Sequence, residues 1–377
     1  MERVKRILVS DGFNNAMSSI FAILIGLLFG FIILLISNPS QAAEGLVIIL
    51  KGGFSAGGKG MGQVLYFSTP IILTGLSVGF AFKTGLFNIG ASGQFIMGAF
   101  AAIFVGVHWT FLPAPLHWMA ALLASAVAGG LWALIPGLMK AYLNVHEVIS
   151  TIMMNYIGMY TANYLVKLTV YDSLKAQSLN TAQTAVLPKL GLDAIFYNTM
   201  GGGKDLSTVN CGIYIAIIMA IITYLLLNKT TFGYELKACG FNPDASRYAG
   251  INEKRNIVLS MVLAGALAGL GGGLLYLSGA GGRHIKVADI LAGEGYNGIS
   301  VALLALSNPI GIIFSGIFIA YITEGGNYLQ SLNYAPEVIQ IIIACIIYFS
   351  AFSLILRRII PGIIKRRSEN KRGGEQK

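Results

Sequence analysis

The chain has 377 residues, of which 55% are apolar and only 11% charged, and a mean hydropathy of +0.71; this excludes an ordinary soluble domain. A net charge of +10 does not mark a nucleic-acid binder, because the basic residues flank apolar runs and no basic stretch alternates with aromatics. The three cysteines, Cys211, Cys239 and Cys345, lie far apart with neither metal-ligand nor redox spacing, so they read as packing residues.

In chain order, apolar runs near twenty residues predict membrane-spanning helices over 17–37, 64–82, 86–107, 117–139, 148–168, 211–227, 257–277, 293–308, 310–330 and 336–356. The fold class is therefore an all-α polytopic membrane protein of about ten helices. The first run is too long for a secretory core and belongs to the mature protein. A basic N-terminus (1–16) precedes a single membrane domain (17–356), and a basic tail (357–377) follows it. With both termini cytosolic, 18 of the 26 Lys and Arg fall inside, eight of them between Arg357 and Lys377. That asymmetry supports an even number of crossings more firmly than ten itself.

Two connections are long: 170–210 outside and 228–256 inside. "GFSAGGK" (Gly53 to Lys59) imitates a phosphate loop, but Gly60 stands where a hydroxyl should ligate Mg²⁺. "GGGKD" (Gly201 to Asp205) also lacks the hydroxyl, so this chain does not bind ATP by that route and any ATP coupling would come from another subunit.

The weakest spans, 86–107 and 293–308, begin with "GLFNIGASGQ" (Gly85 to Gln94) and "GEGYNGISVA" (Gly293 to Ala302). Both set an aromatic–Asn pair among glycines. Spans 2–5 and 7–10 thus form candidate inverted repeats with a site at interrupted helices, although glycine also serves plain helix packing. In "NVHEVISTIMMNYI" (Asn144 to Ile157), adjacent His146 and Glu147 point to different helix faces and suit capping rather than metal binding. Asn155 and Asn163 lie deeper, where an amide either ties helices together or lines a pathway. In "YELKACGFNPDASRYAGINEKR" (Tyr234 to Arg255), Asn242 is a natural N-cap, Pro243 a first helical residue, Asp244 a favourable charge, and Gly250 a stop. They delimit a helix of about two turns, roughly 10 Å long, which presents Arg247 and Tyr248 as a docking element for a cytosolic subunit.

Deep positions offer amides and hydroxyls rather than acids, which argues against a proton- or ion-coupled secondary transporter. His108, His117, His146 and His284 are scattered, with no nucleophile or acid–base set, so a membrane enzyme is also disfavoured.

The stretches "TPIILTGLSVGFAFKTGLFNIGASGQFIMGAF", "NVHEVISTIMMNYIGMYTANYL", "ACGFNPDASRYAGIN" and "GEGYNGISVALLALSNPIG" together resemble permease subunits of bacterial ABC importers of the ribose and branched-chain amino acid group, closest to the branch that takes up nucleosides. The resemblance runs from about Gly45 to Arg358. It departs at Ser92, where the family usually has an acidic residue, and this bears on selectivity. It implies a non-enzymatic, multi-pass subunit in the bacterial cell membrane that binds no cofactor itself. The implied partners are a second homologous permease, an ABC ATPase carrying ATP and Mg, and an external substrate-binding lipoprotein. Asn88, Ser92, Gln94, Asn155, Tyr296 and Asn297 become candidates for the substrate path. Asn242, Pro243, Asp244, Arg247, Tyr248 and Gly250 match the family's coupling helix. A simple sugar or another small polar solute is the competing substrate.

Overall fold

The computed structural model describes residues 11–196, 205–279, 283–332 and 334–351. All ten apolar runs carry helix: α1 (Asp11–Ser37), α3 (Gly57–Lys83), α4 (Ala91–His108), α5 (Ala114–Leu143), α6 (Glu147–Thr169), α8 (Gly212–Lys229), α11 (Glu253–Tyr276), α12 (Gly293–Leu304), α13 (Pro309–Asn327) and α14 (Pro336–Ala351). Between them lie α2 (Ala42–Lys51), the single turn α7 (Leu192–Ile195), α9 (Thr231–Phe241) and α10 (Pro243–Tyr248). Among the described residues, strands are confined to a two-rung antiparallel pair, β1 (Tyr171–Asp172) and β2 (Gln177–Ser178). Among the described residues, six helical stretches are long and apolar enough to cross a membrane. The basic tail lies outside the described residues.

Two compact units divide the chain, one of residues 53–324 and one of 1–52 with 325–377. In the smaller, α1 packs along α14; Phe29 stacks on Phe349 at 4.2 Å, and the Tyr334 hydroxyl donates to the Asn38 carbonyl at 3.2 Å.

In the larger unit α11 is the hub, packed on α3, α4 and α5. Small residues set that closeness, as they do wherever lipid supplies no hydrophobic drive between helices. A side chain on Gly129 of α5 would sit 2.4 Å from the Gly265 carbonyl oxygen of α11. Apolar all round, α3 is buried along nearly its whole length. Exposed faces occur on α5, α6 and α8.

Contacts between connections define two ends of this unit. At one end the 170–210 connection meets the 283–292 connection and the end of α11: Ser178 N donates to Ile285 O at 2.9 Å, and Leu187 N to Leu277 O, just past α11, at 2.9 Å. At the other, Thr84 Oγ1 bonds Ser260 Oγ, and Gly85 turns against Gly240 with φ of 76°. A side chain on Gly85 would lie 2.4 Å from the Gly240 Cα, so glycine is required for both the torsion and the approach. The "GFSAGGK" stretch folds as a 3-10 turn (52–56) leading into α3. Its glycines serve packing, since a side chain on Gly60 would meet the Gly53 carbonyl oxygen at 2.0 Å.

Two expected spans need correction. The run 86–107 becomes helical only at Ala91, and 293–308 forms a helix of 12 residues, about 18 Å long at 1.5 Å per residue. That is too short for a hydrocarbon core of about 30 Å. Glycine and asparagine in the first motif leave 86–90 out of the helix, whereas the second motif is helical from Gly293 and its helix is cut short at the other end, by a turn at Leu306 and Ser307.

Candidate translocation site

The connector after Lys83 turns back beside α3. Asn88 Nδ2 donates to Ser77 Oγ at 3.1 Å, six residues before the end of α3, so α4 starts about 9 Å inside that end. A helix start at this depth leaves backbone donors that water cannot satisfy. The Asn155 side chain on α6 satisfies one such donor and a neighbouring carbonyl: its Oδ1 accepts from Gly93 N at 2.8 Å, and its Nδ2 donates to Ile89 O at 3.0 Å. Asn88 and Gln94 form a reciprocal amide pair, Asn88 Nδ2 to Gln94 Oε1 at 2.8 Å and Gln94 Nε2 to Asn88 Oδ1 at 2.9 Å. All three amides are buried.

The second break meets the first. Ser92 Oγ donates to the carbonyl of Ala292, the residue just before α12, at 2.8 Å. Gly295 packs so closely that a side chain there would lie 2.5 Å from the Ser92 Cα. A carboxylate at position 92 has no proton to give Ala292, so the hydroxyl suits this junction. Thr74 Oγ1 of α3 lies 2.9 Å from the Glu294 carbonyl. Arg283 holds Glu294 in the first turn of α12 at 2.7 Å and rests over the Phe67 ring at 4.9 Å. The two interrupted helices run in opposite directions and touch at their starts.

Four of the six path candidates, Asn88, Ser92, Gln94 and Asn155, are thus buried and engaged in holding the two breaks. Tyr296 and Asn297 on α12 reach the surface; Tyr296 is 37% exposed, and its hydroxyl lies 3.4 Å from Asn155 Nδ2. Asn163 takes the tying role, donating to Ala288 O at 3.0 Å and Asp289 Oδ1 at 3.1 Å. His146 caps α6, its Nδ1 accepting from Val148 N at 3.3 Å, and Glu147 pairs with Lys140 at 2.8 Å. The sequence reading passes over Tyr156, Tyr160 and Tyr164, which stand exposed on α6; their four-residue spacing in "NYIGMYTANY" is the signal for them.

The short helix expected after Asn242 forms as its caps dictate. Asn242 Oδ1 accepts from Ala245 N at 3.0 Å, α10 covers Pro243 to Tyr248, and Gly250 follows with φ of 82°. Its Asp244, Arg247 and Tyr248 side chains are exposed, while Ser246 is buried. The preceding α9 places Gly233 within 1.9 Å of contact with the Leu226 carbonyl oxygen for any added side chain, which folds α9 tightly back on α8.

A cavity of about 400 Å³ opens at the opposite end, between 183–189 and 207–210 and beside Ser278; none of the six path candidates lines it. At its edge Lys189 Nζ donates to Asp205 Oδ2 at 2.6 Å and to Ser207 O at 3.0 Å. Burial pushes the Asp205 carboxyl up, but the Lys189 ammonium and Ser207 N–H outweigh it and hold the group below its ordinary range. A depressed folded pKa contributes stability that is present above the unfolded value and lost as pH falls through the folded one. Protease sensitivity of the 170–210 connection is therefore expected to stay flat from about pH 8 to 5 and to rise only below about pH 4. In Lys189→Met it should be raised throughout. A rise in the unaltered chain beginning near pH 6 would contradict this assignment.

Sequence comparison agrees with this architecture. The chain is 38% identical to a guanosine ABC transporter permease protein of Bacillus subtilis over 95% of its own length and 99% of the relative's. It is 36% identical to a nucleoside ABC transporter permease protein of Lactococcus lactis over 96% and 100%. A glucose ABC transporter permease protein of Haloferax volcanii is 31% identical over 82% and 81%. No solved structure gives a significant match. The family model described as branched-chain amino acid transport system / permease component matches residues 60–351. With several apolar helices and this match over most of its length, the chain is a multi-pass protein of the cell membrane and belongs to that permease family.

Proposed function

We propose that this chain is the permease subunit of an ABC importer that moves a nucleoside inward by alternating access, driven by ATP hydrolysis on separate subunits. The observation that carries the substrate is near full-length similarity to permeases named for guanosine and nucleosides. A second, similar permease completes the pore, and an external lipoprotein delivers the solute. ATP and Mg belong to the ATPase. The capped, exposed α10 supports a coupling role: Asn242, Pro243 and Gly250 fix its ends, while Asp244, Arg247 and Tyr248 face the ATPase. Six residues held by two caps move as one rigid body, so closure of the ATPase is passed to α9 and α11 without being absorbed in a loop.

At the site, Tyr296 and Asn297 offer the solute an aromatic face and an amide. Asn88, Ser92, Gln94 and Asn155 hold the breaks that present them, and exchange partners when the path changes sides. Each direct contact stays modest, because a transporter must release what it binds.

The test is radiolabelled uridine and ribose uptake by cells carrying the complete system, with Arg247→Glu as the variant. Uridine uptake in the unaltered system, falling at least tenfold in Arg247→Glu with assembly intact, is the expected result. Uptake of ribose alone would replace the substrate and keep the subunit. Unchanged uridine uptake in the variant would remove Arg247 from the ATPase contact.

A further inference from the structure

Three tyrosines of α6, Tyr156, Tyr160 and Tyr164, stand exposed at 49%, 56% and 65% on one face. At four-residue spacing their rings are about 6 Å apart along the axis and cover about 12 Å in all. Tyr156 and Tyr160 straddle Gly158, near the middle of this 23-residue helix. They are therefore not a belt at the membrane surface, where tyrosine normally sits with its hydroxyl in the headgroups. Among the described residues their hydroxyls have no hydrogen-bond partner, and a bare hydroxyl in hydrocarbon is costly.

Other exposed faces of the unit show what lipid selects. Between Leu116 and Leu138, α5 exposes Leu123, Val127, Leu131 and Ile135. On α8 the exposed residues around its middle are Ile218, Ile221, Ile222 and Leu225. The α6 face differs in carrying three phenols. It is also continuous with the site: Asn155, which precedes Tyr156, reaches the Tyr296 hydroxyl, and Asn163, which precedes Tyr164, is bonded to the 283–292 connection. The row thus runs from the helix breaks to the end that carries the 170–210 connection.

We infer that Tyr156, Tyr160 and Tyr164 form a ladder lining the aqueous path, along which a planar aromatic solute of the nucleobase class passes by stacking from ring to ring. Resting on the nucleoside reading above, this makes the base, rather than the sugar, the part recognised within the membrane. Each step is shorter than a purine is wide, so the solute meets the next ring before leaving the last. The phenol hydroxyls bond water or the base edge in turn, and stacking tolerates different bases because each has a π face.

The experiment uses membrane vesicles carrying the complete transporter. Tyr156→Cys, Tyr160→Cys and Tyr164→Cys, with Leu131→Cys as the lipid-facing control, are treated with a charged, membrane-impermeant methanethiosulfonate. Labelling is read above the background of the native cysteines. The ladder variants are expected to react at least tenfold faster than the control, and guanosine, but not ribose, to slow them at least threefold. Rates no faster than Leu131→Cys would overturn the proposal by placing the face in lipid or beneath the second permease. Rapid labelling indifferent to guanosine would overturn it by making the face wet but not a subsite. Uptake then separates ring from hydroxyl: Tyr160→Phe should stay within threefold of the unaltered transporter and Tyr160→Leu fall at least tenfold, whereas equal uptake by the two variants would refute stacking. Nucleoside uptake by the unaltered vesicles is read separately, so its failure would remove the functional reading while labelling rates still decide whether the face is aqueous.

Discussion

Replacing Gly295 by leucine is expected to abolish transport and to reduce the amount of folded protein in the membrane. The Cβ alone would lie 2.5 Å from both Ser92 N and Ser92 Cα, distances that no rotamer change relieves because both atoms are backbone. To make room, α12 must lift from α4, which breaks the Ser92 bond to Ala292 and shifts Gly298 off α3, where a side chain would meet the Thr74 carbonyl carbon at 2.6 Å. Overpacking a well-filled core costs about 1–3 kcal/mol when side chains can adjust, and more where backbones meet. Gly295→Ala is the graded variant, with partial loss expected. Uptake and detergent-extracted yield measure both, and a Gly295→Leu transporter with ordinary yield and uptake would show that the two breaks do not pack as described.

The second large effect belongs to Asn155. Replacing it by leucine, close in size, strands Gly93 N–H and Ile89 C=O in a buried setting. At about 1–3 kcal/mol for each unsatisfied group, the loss comes to about 2–6 kcal/mol. A thermal melt of the purified complex reads this loss. Uptake should fall at least tenfold, because the start of α4 frays and takes Asn88 and Gln94 with it. Asn155→Asp keeps the acceptor for Gly93 but cannot donate to Ile89, so it should lie between the two. A melting temperature unaffected by Asn155→Leu would mean that α4 begins without a cap from α6.

How much of this was legible beforehand follows from how local each signal is. The α10 helix could be read from Asn242, Pro243 and Gly250 because capping involves residues three or four apart. The apolar runs located ten helices because lipid demands continuous hydrophobicity. The length of α12 was not legible: "ISVALLALS" stays apolar past Leu304, and only the turn at Leu306 and Ser307, both with φ of 54°, ends the helix. Nor did α2 stand out, since ten residues beside Asn38 and Gln41 give too short a run. Asn88, Ser92, Gln94 and Asn155 stood out in the sequence as polar residues at depth, but their hydrogen-bond partners did not. Asparagine and glutamine at depth announce a polar requirement, yet Ser77, Gly93 and Ile89 as their partners belong to tertiary structure, which no spacing encodes. Ser92 is the clearest case. It looked like the loss of an acid and proves to be a donor to a carbonyl 200 residues away.

The brevity of α12 also bears on how the protein is made. Newly synthesised helices enter the bilayer by partitioning one hydrophobic segment at a time, and about 20 apolar residues suffice for that. Twelve residues containing Glu294, Tyr296 and Asn297 do not. The extended chain before them carries backbone groups that lipid cannot satisfy until α3, α4 and α6 supply partners. This segment therefore has to be placed by docking onto helices already inserted. Biogenesis of the subunit ends in a folding step within the membrane, so a substitution at Thr74, Ser92 or Gly298 acts first on whether the chain acquires its topology and only then on what it carries.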